Sequence, residues 1–337
     1  MEEYVEGARN LIRTLELDSK GALIVICDEE NKDFSDYIFL GAKNENIDEI
    51  LYVVIPKIYR PLNKVPVPLY KAIEKSKGLI HITKRIPEEN FLFNRPLKAF
   101  CNQNKCRYIY IYDPKVEYLK EGILANYQAV EKKAKNVQNI LERSEKITVT
   151  SDLGTNISFK IYKHRIVPRS PIFLEDMYEN QAPEGEVMSC PIEETFNGVI
   201  FVDGVSTGLG IPPSPIKWEF QNGLVSNVMG NKKYLENMLN LLRKSDPRLN
   251  SLIGIDIAEF SVGVNDWAKF DDNISNCEKV SGGIHFGFGQ VKGGIGIYRG
   301  GTFHFDNILL NPSVNVIFPN KKEFKLIDKG KLNTDVS

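Results

Sequence analysis

Apolar and polar positions along the chain fall into two textures that meet near residue 145. In the first, apolar β-branched runs at 22–27, 51–55, 78–82 and 107–112 recur every ~25 to 30 residues, the spacing a βαβ unit needs. Helix-patterned stretches at 69–76 and 94–101 fill gaps between them. The alternation predicts a parallel sheet covered by helices. A long helix is predicted next, over 116–143. There Ile123, Tyr127, Val130, Ala134, Val137 and Leu141 step by 4, 3, 4, 3 and 4 into one apolar stripe. Its other face is rich in Lys, Asn, Gln and Glu, so it reads as a packing helix that closes a domain over 1–145.

Strand-patterned segments dominate from 146 to 337: 147–150, 157–161, 187–191, 198–202, 253–260, 284–288, 302–305 and 314–318. One helix, 233–242, interrupts them and runs into the breaker SDPRLN. The fold class is therefore α/β. An N-terminal parallel-sheet, Rossmann-like domain is followed by a mixed, largely antiparallel α+β metal-binding domain. The tail over 328–337 reads as disordered.

Charge and composition narrow the partners. With 43 Lys and Arg against 44 Asp and Glu, the formal charge is −1, so nothing draws the chain to nucleic acid or to an anionic membrane. The N-terminus is acidic and amphipathic, unlike a signal peptide, and apolar runs such as 23–27 are too short to span a bilayer. Cys27, Cys101, Cys106, Cys190 and Cys277 show no zinc or disulfide spacing and read as small buried thiols, although Cys101 and Cys106 are near enough in sequence to pair. These features point to the cytoplasm. A doubly wound sheet invites a nucleotide, but the turn after the first strand, CDEENKD, has neither GxGxxG nor a P-loop. Asp28, Glu29 and Glu30 there would repel a pyrophosphate, so no dinucleotide cofactor is expected.

The candidate chemistry lies in the second texture. His285 and His304, 19 positions apart, flank the most glycine-dense stretch, in which nine of the 21 residues 281–301 are glycine. Such density marks tight bends or close backbone approach. In His304-Phe305-Asp306 the imidazole and carboxylate share one strand face, a two-ligand wall for a divalent ion. The same pattern also suits a histidine merely oriented by its neighbour. Glu186 sits where a turn leads into a strand. Glu259 interrupts an apolar run in which alternation puts Ile255, Ile257 and Glu259 on one face, and a buried carboxylate needs a partner or a metal. Glu184, Glu193 and Glu194 read as surface or supporting residues, with Glu184 also able to reach the site as a catalytic candidate. Glu186, Glu259, His285, His304 and Asp306 together give three carboxylates and two imidazoles. That set is too rich in oxygen for a structural zinc, and it suits two divalent ions that share a carboxylate and a water. GxSxG and HExxH are absent from the sequence.

The order GEV, P-x-E-E-x-x-N-G, AEF-x-x-G-x-N, EK-x-x-G-G-x-H-F-G-x-G and H-x-D resembles the aminopeptidase T / aminopeptidase S family of metallopeptidases. The segment SDLGTNISFKI resembles the opening of that family's catalytic domain, so the likeness spans nearly the whole chain. The resemblance implies that Glu186, Glu259, His285, His304 and Asp306 hold two divalent ions (zinc, cobalt or manganese). It implies a homodimer with enclosed active sites that removes N-terminal residues from short peptides. Where the family has a tyrosine seven residues after the first metal histidine, this chain has Lys292, with Tyr298 nearby; both are candidates for holding an oxyanion. A second branch of the fold resembles 2,5-dihydroxypyridine dioxygenase, which implies a single iron(II) on His285, His304 and Asp306. A non-catalytic accessory protein with a degenerate site is the third reading.

Overall fold

The computed structural model describes residues 1–17, 21–290 and 303–335. The chain divides into two compact units, Met1–Gln128 with Ser170–Glu184, and Ala129–Arg169 with Gly185–Ser337.

The first unit runs α1 (Glu2–Thr14), β1 (Ala22–Asp28), α2 (Lys32–Asn44), β2 (Ile50–Ile55), α3 (Val67–Ile73), β3 (Ser76–Thr83), α4 (Arg95–Gln103) and β4 (Arg107–Tyr112). Its strands pair in parallel in the order β2-β1-β3-β4, as the alternating pattern predicts. The unbroken apolar run of β1 follows from burial of both its faces. Leu23, Val25 and Cys27 pack with Ala8 and Leu11 of α1 and with Phe34 and Ile38 of α2. Ile24 and Ile26 face the other way, among Leu69 and Ile73 of α3 and Leu97 and Cys101 of α4.

At the carboxyl ends of these strands a buried ion cluster forms. Arg60 pairs with both Asp28 and Glu89, whose residues are 2% and 1% exposed. Asp28 is therefore engaged by a guanidinium at the edge where a doubly wound sheet would take a phosphate. His81 of β3 is enclosed beside it. Its Nδ1 lies 2.8 Å from the Tyr108 hydroxyl and its Nε2 3.1 Å from Thr83 Oγ1. Burial, and secondarily the positive charge of Arg60, lowers its pKa from 6.5 to about 3.

Helix α5 (Tyr127–Glu142) is shorter than the apolar stripe predicts, and Val116–Lys120 is a separate 3-10 turn. Gly122 and Asn126 fall between the two; glycine weakens a helix interior by about 1 kcal/mol, and asparagine favours the capping position before a first turn. The stripe itself is buried along α5, at Tyr127, Val130, Ala134, Val137 and Leu141.

The chain continues through β5 (Lys146–Thr150), β6 (Asn156–Phe159) and β7 (Val167–Arg169). It then returns to the first unit, where β8 (Glu179–Gln181) pairs in parallel with β4. The rest of the second unit comprises β9 (Glu186–Ser189), β10 (Asn197–Val202), β11 (Ile216–Gln221), β12 (Leu224–Met229), α6 (Lys232–Arg243), β13 (Ile257–Gly263), α7 (Ile274–Cys277), β14 (Ile284–Gly289), β15 (His304–Leu309), β16 (Ser313–Ile317), β17 (Glu323–Asp328) and β18 (Lys331–Leu332). Among the described residues these strands form two antiparallel sheets, ordered β12-β11-β10-β6-β5-β16-β17-β18 and β15-β14-β13-β9-β7. The class read from the sequence, a parallel α/β half followed by a largely antiparallel one, is the class observed.

Aromatic rings join the two antiparallel sheets. Phe159 meets Phe260 with centroids 5.1 Å apart, and Trp218 and Phe220 meet Phe288 at 5.1 and 5.2 Å. Truncating one such buried ring to alanine costs about 3–5 kcal/mol, so this layer fixes the smaller sheet firmly. The tail departs from the disorder expected of it. Lys329 and Gly330, at φ 45° and 79°, turn the chain so that β18 pairs with β17, and Asn333 N donates to Leu326 O at 2.8 Å. Among the described residues no helix is long and apolar enough to cross a membrane.

Candidate metal centre

Strand register decides which side chains share a face of the smaller sheet. Residues opposite one another in an antiparallel ladder point to the same side. Glu186 pairs with Gly263, Ser261 with His285, Glu259 with Gly287, Gly287 with Asp306 and Gly289 with His304. Glu186, Glu259, Ser261, His285, His304 and Asp306 therefore share one face. The phenyl groups of Phe260, Phe286, Phe288 and Phe305 point to the other, against the larger sheet.

Simple alternation does not place Glu259 correctly. A bulge separates Ile257, opposite Phe288, from Glu259, opposite Gly287. The extra residue, Ala258, puts Ile257 on the phenyl side and Glu259 on the polar side, contrary to the shared face predicted from sequence. Glycines then make room. A Cβ on Gly287 would lie 2.7 Å from His304 Cε1 and 2.9 Å from Glu259 Cβ.

The cluster is tight. His285 Nε2 lies 3.2 Å from Glu259 Oε1 and 3.7 Å from Glu186 Oε2. His304 Nε2 lies 2.6 Å from Asp306 Oδ1 and 3.5 Å from Glu259 Oε2. His304 Nδ1 is 2.6 Å from the Gln290 carbonyl, which can only accept, so Nδ1 carries a proton and Nε2 is directed at the carboxylates. Burial opposes the charged form of His285, but its hydrogen bond to Glu259 and the charges of Glu278, Glu186 and Asp306 outweigh burial and raise its pKa to about 9.

Two residues that the pattern reading leaves unassigned belong to the cluster. Glu278, just past α7, groups with His285 and Asp306. Lys279 Nζ donates to Glu186 Oε1 at 2.6 Å and to Glu278 Oε2 at 3.3 Å. Both sit in the motif EK-x-x-G-G-x-H, but a short helix positions them, so no strand period marks them. Glu193 is buried, not on the surface, and accepts from the Tyr162 hydroxyl at 3.0 Å. Glu184 is buried and belongs to the first unit. Lys292 and Tyr298 lie outside the described residues.

Three ligand groups result: Glu186–Glu259–His285, Glu259–His304–Asp306 and Glu278–His285–Asp306, with donor atoms in each within 4.8 Å of one another. That spread suits one ion held by ligands at about 2.0–2.3 Å. Among the described residues, the buried carboxylates of Glu186, Glu259, Glu278 and Asp306 gather beside the Lys279 ammonium and the His285 imidazole, a concentration of charge that burial makes costly. His285 Nδ1 is buried without a hydrogen-bond partner among the described residues. Hard oxygen donors with two imidazoles fit a divalent first-row ion.

The fold has counterparts among solved structures. AmpT, an aminopeptidase T, from Thermus thermophilus superposes with a TM-score of 0.69 at 15% identity, over 98% of this chain and 99% of that one. A 2,5-dihydroxypyridine dioxygenase from Pseudomonas putida superposes with a TM-score of 0.68 at 14% identity, over 98% and 96%. No protein-family profile and no curated sequence matches the chain. At these identities the likeness establishes the fold alone, and any chemistry must be argued from the residues of the site.

Proposed function

We propose that the protein is a metal-dependent aminopeptidase that removes N-terminal residues from short peptides and acts as a homodimer. The observation that carries this reading is the membership of Glu259 in two adjacent ligand groups, the relation expected of a carboxylate between two ion positions. A divalent ion bound there supplies Lewis acidity and a water of lowered pKa. The side chains do the rest. The surplus of carboxylates attracts the ammonium of a peptide N-terminus and selects substrates that have one. His304, fixed through Nδ1, holds Nε2 toward Asp306 and Glu259, and Ser261 holds Glu259 by a 2.7 Å hydrogen bond to Oε1. Chelator-stripped protein supplied with cobalt, zinc or manganese should hydrolyse members of a panel of dipeptides and aminoacyl amides. No turnover with any of the three metals would sink the proposal.

The second reading, an iron(II) dioxygenase acting on a hydroxylated ring, is favoured by the structural neighbour of that activity. Against it, each of the three ligand groups contains one imidazole, whereas a facial triad needs two histidines on one ion. Oxygen uptake by anaerobically iron-loaded protein in the presence of 2,5-dihydroxypyridine would decide for it.

A further inference from the structure

The ligand-bearing face of the smaller sheet continues past Glu186 onto the edge strand β7. There Val167 lies opposite Met188 and Arg169 opposite Glu186, so both stand on the face that carries the ligands. The chain enters β7 from a 3-10 turn, Lys163–Arg165. Tyr162 N donates to Cys190 O at 2.9 Å, and Tyr162 O accepts from Arg165 N at 3.0 Å, which sets Arg165 beside the end of β9. The Cys190 thiol reports the same placement. Burial raises it to about 12, with Glu193 and Glu259 adding to the rise and Arg165 opposing it. One sulfur thus lies within electrostatic reach of both the Glu259 carboxylate and the Arg165 guanidinium. That guanidinium is held but not satisfied. It lies over the Tyr162 ring, 5.4 Å from the centroid, and the Tyr162 hydroxyl is fixed on Glu193. Its Nε donates to His164 Nε2 at 3.1 Å, and its Nη1 is buried with no hydrogen-bond partner among the described residues. A buried N–H of a permanent cation without an acceptor is costly, and an anionic acceptor relieves that cost best.

We infer that Arg165 receives the terminal carboxylate of the substrate and so restricts the enzyme to very short peptides, dipeptides above all. This rests on the aminopeptidase reading and names the substrate class of that site. The dimensions agree. Neighbouring strands are about 4.8 Å apart, so the row of β7 stands about 5 Å from Glu186 on β9 and about 10 Å from Glu259 on β13. A dipeptide spans about 7 Å. With its ammonium among the carboxylates, such a substrate presents its far end to β7. Each further residue would carry the terminal carboxylate about 3.5 Å beyond the guanidinium.

The test compares the metal-loaded full chain on the best dipeptide of the substrate panel and on the C-terminal amide of that dipeptide. In wild type the KM for the free acid should lie at least about tenfold below that for the amide. Arg165→Gln should raise the KM for the acid about 10- to 100-fold and bring the two substrates level, and Arg165→Lys should recover part of the preference. A role in packing alone would not move the ratio of acid to amide. Equal KM values for the two in wild type, or a preference that Arg165→Gln leaves unaltered, would overturn the inference while the aminopeptidase reading stands. If Arg165→Gln does not fold by circular dichroism, the wild-type preference and Arg165→Lys decide. If no peptide turns over, that reading falls, and calorimetric binding of the dipeptide and its amide to the metal-loaded protein decides for the carboxylate site. Binding of the acid that Arg165→Gln weakens at least about tenfold would uphold it. Equal binding of acid and amide, or none, would overturn it.

Discussion

Ser261 and Glu259 lie two residues apart on β13, and the serine hydroxyl donates to Glu259 Oε1 at 2.7 Å. His285 Nε2 approaches the same oxygen, while Oε2 is the oxygen nearer His304. The hydroxyl thus orients one of the two carboxylates that belong to two ligand groups, Asp306 being the other. Ser261→Ala should lower metal affinity by about 10- to 100-fold, the usual cost of losing a group that orients a ligand. Titration of the variant beside wild type checks it.

Asp306 should matter in opposite directions with and without metal. In the metal-free protein it adds to a crowded, buried negative charge. Asp306→Asn should therefore raise the melting temperature in chelator, by about 2–4 °C for each kcal/mol of relief in a unit of this size. The same change should abolish the stabilisation that zinc gives to wild type, and with it activity. Thermal melts with and without zinc distinguish the two effects.

His304→Ala should abolish metal retention while leaving the far-ultraviolet circular dichroism unchanged. The phenyl layer on the other face of the sheet, not the ligands, carries most of the packing there. Full activity in this variant would refute the ligand assignment.

The first unit should be acid-labile through His81. In the unfolded chain its imidazole titrates near 6.5, whereas in the fold burial and Arg60 hold the pKa at about 3. A depressed pKa means that the folded state refuses a proton the unfolded state accepts. The stability tied to neutral His81 is therefore fully present above pH 6.5. It is lost as pH falls toward 3, at up to about 1.4 kcal/mol per pH unit. His81→Gln should flatten that dependence, measured by urea unfolding between pH 7.5 and pH 4.5.

Much of this architecture is written in local pattern. The parallel strands are legible because strands buried on both faces become continuous apolar runs, as ALIVIC does in β1. His304 and Asp306 are legible because a regular strand puts alternate residues on one face. The failures have equally local causes. The bulge at Ala258 reverses the phase of β13, so Ile257 and Glu259 part company although their spacing joins them. Glu278 and Lys279 follow a four-residue helix, too short to leave a period. Helix α5 stops short because an apolar stripe records which residues are buried, and Ile123 is buried without being in the helix.

Gly287 offers no donor atom, yet the centre depends on the volume it leaves empty. With a β-carbon there, the imidazole of His304 and the stem of Glu259 would lose the space they occupy. The position therefore works as a mould for the ligands, and its imprint should outlast many changes elsewhere in the chain. Any larger side chain at this one backbone position would force the ligands into another geometry.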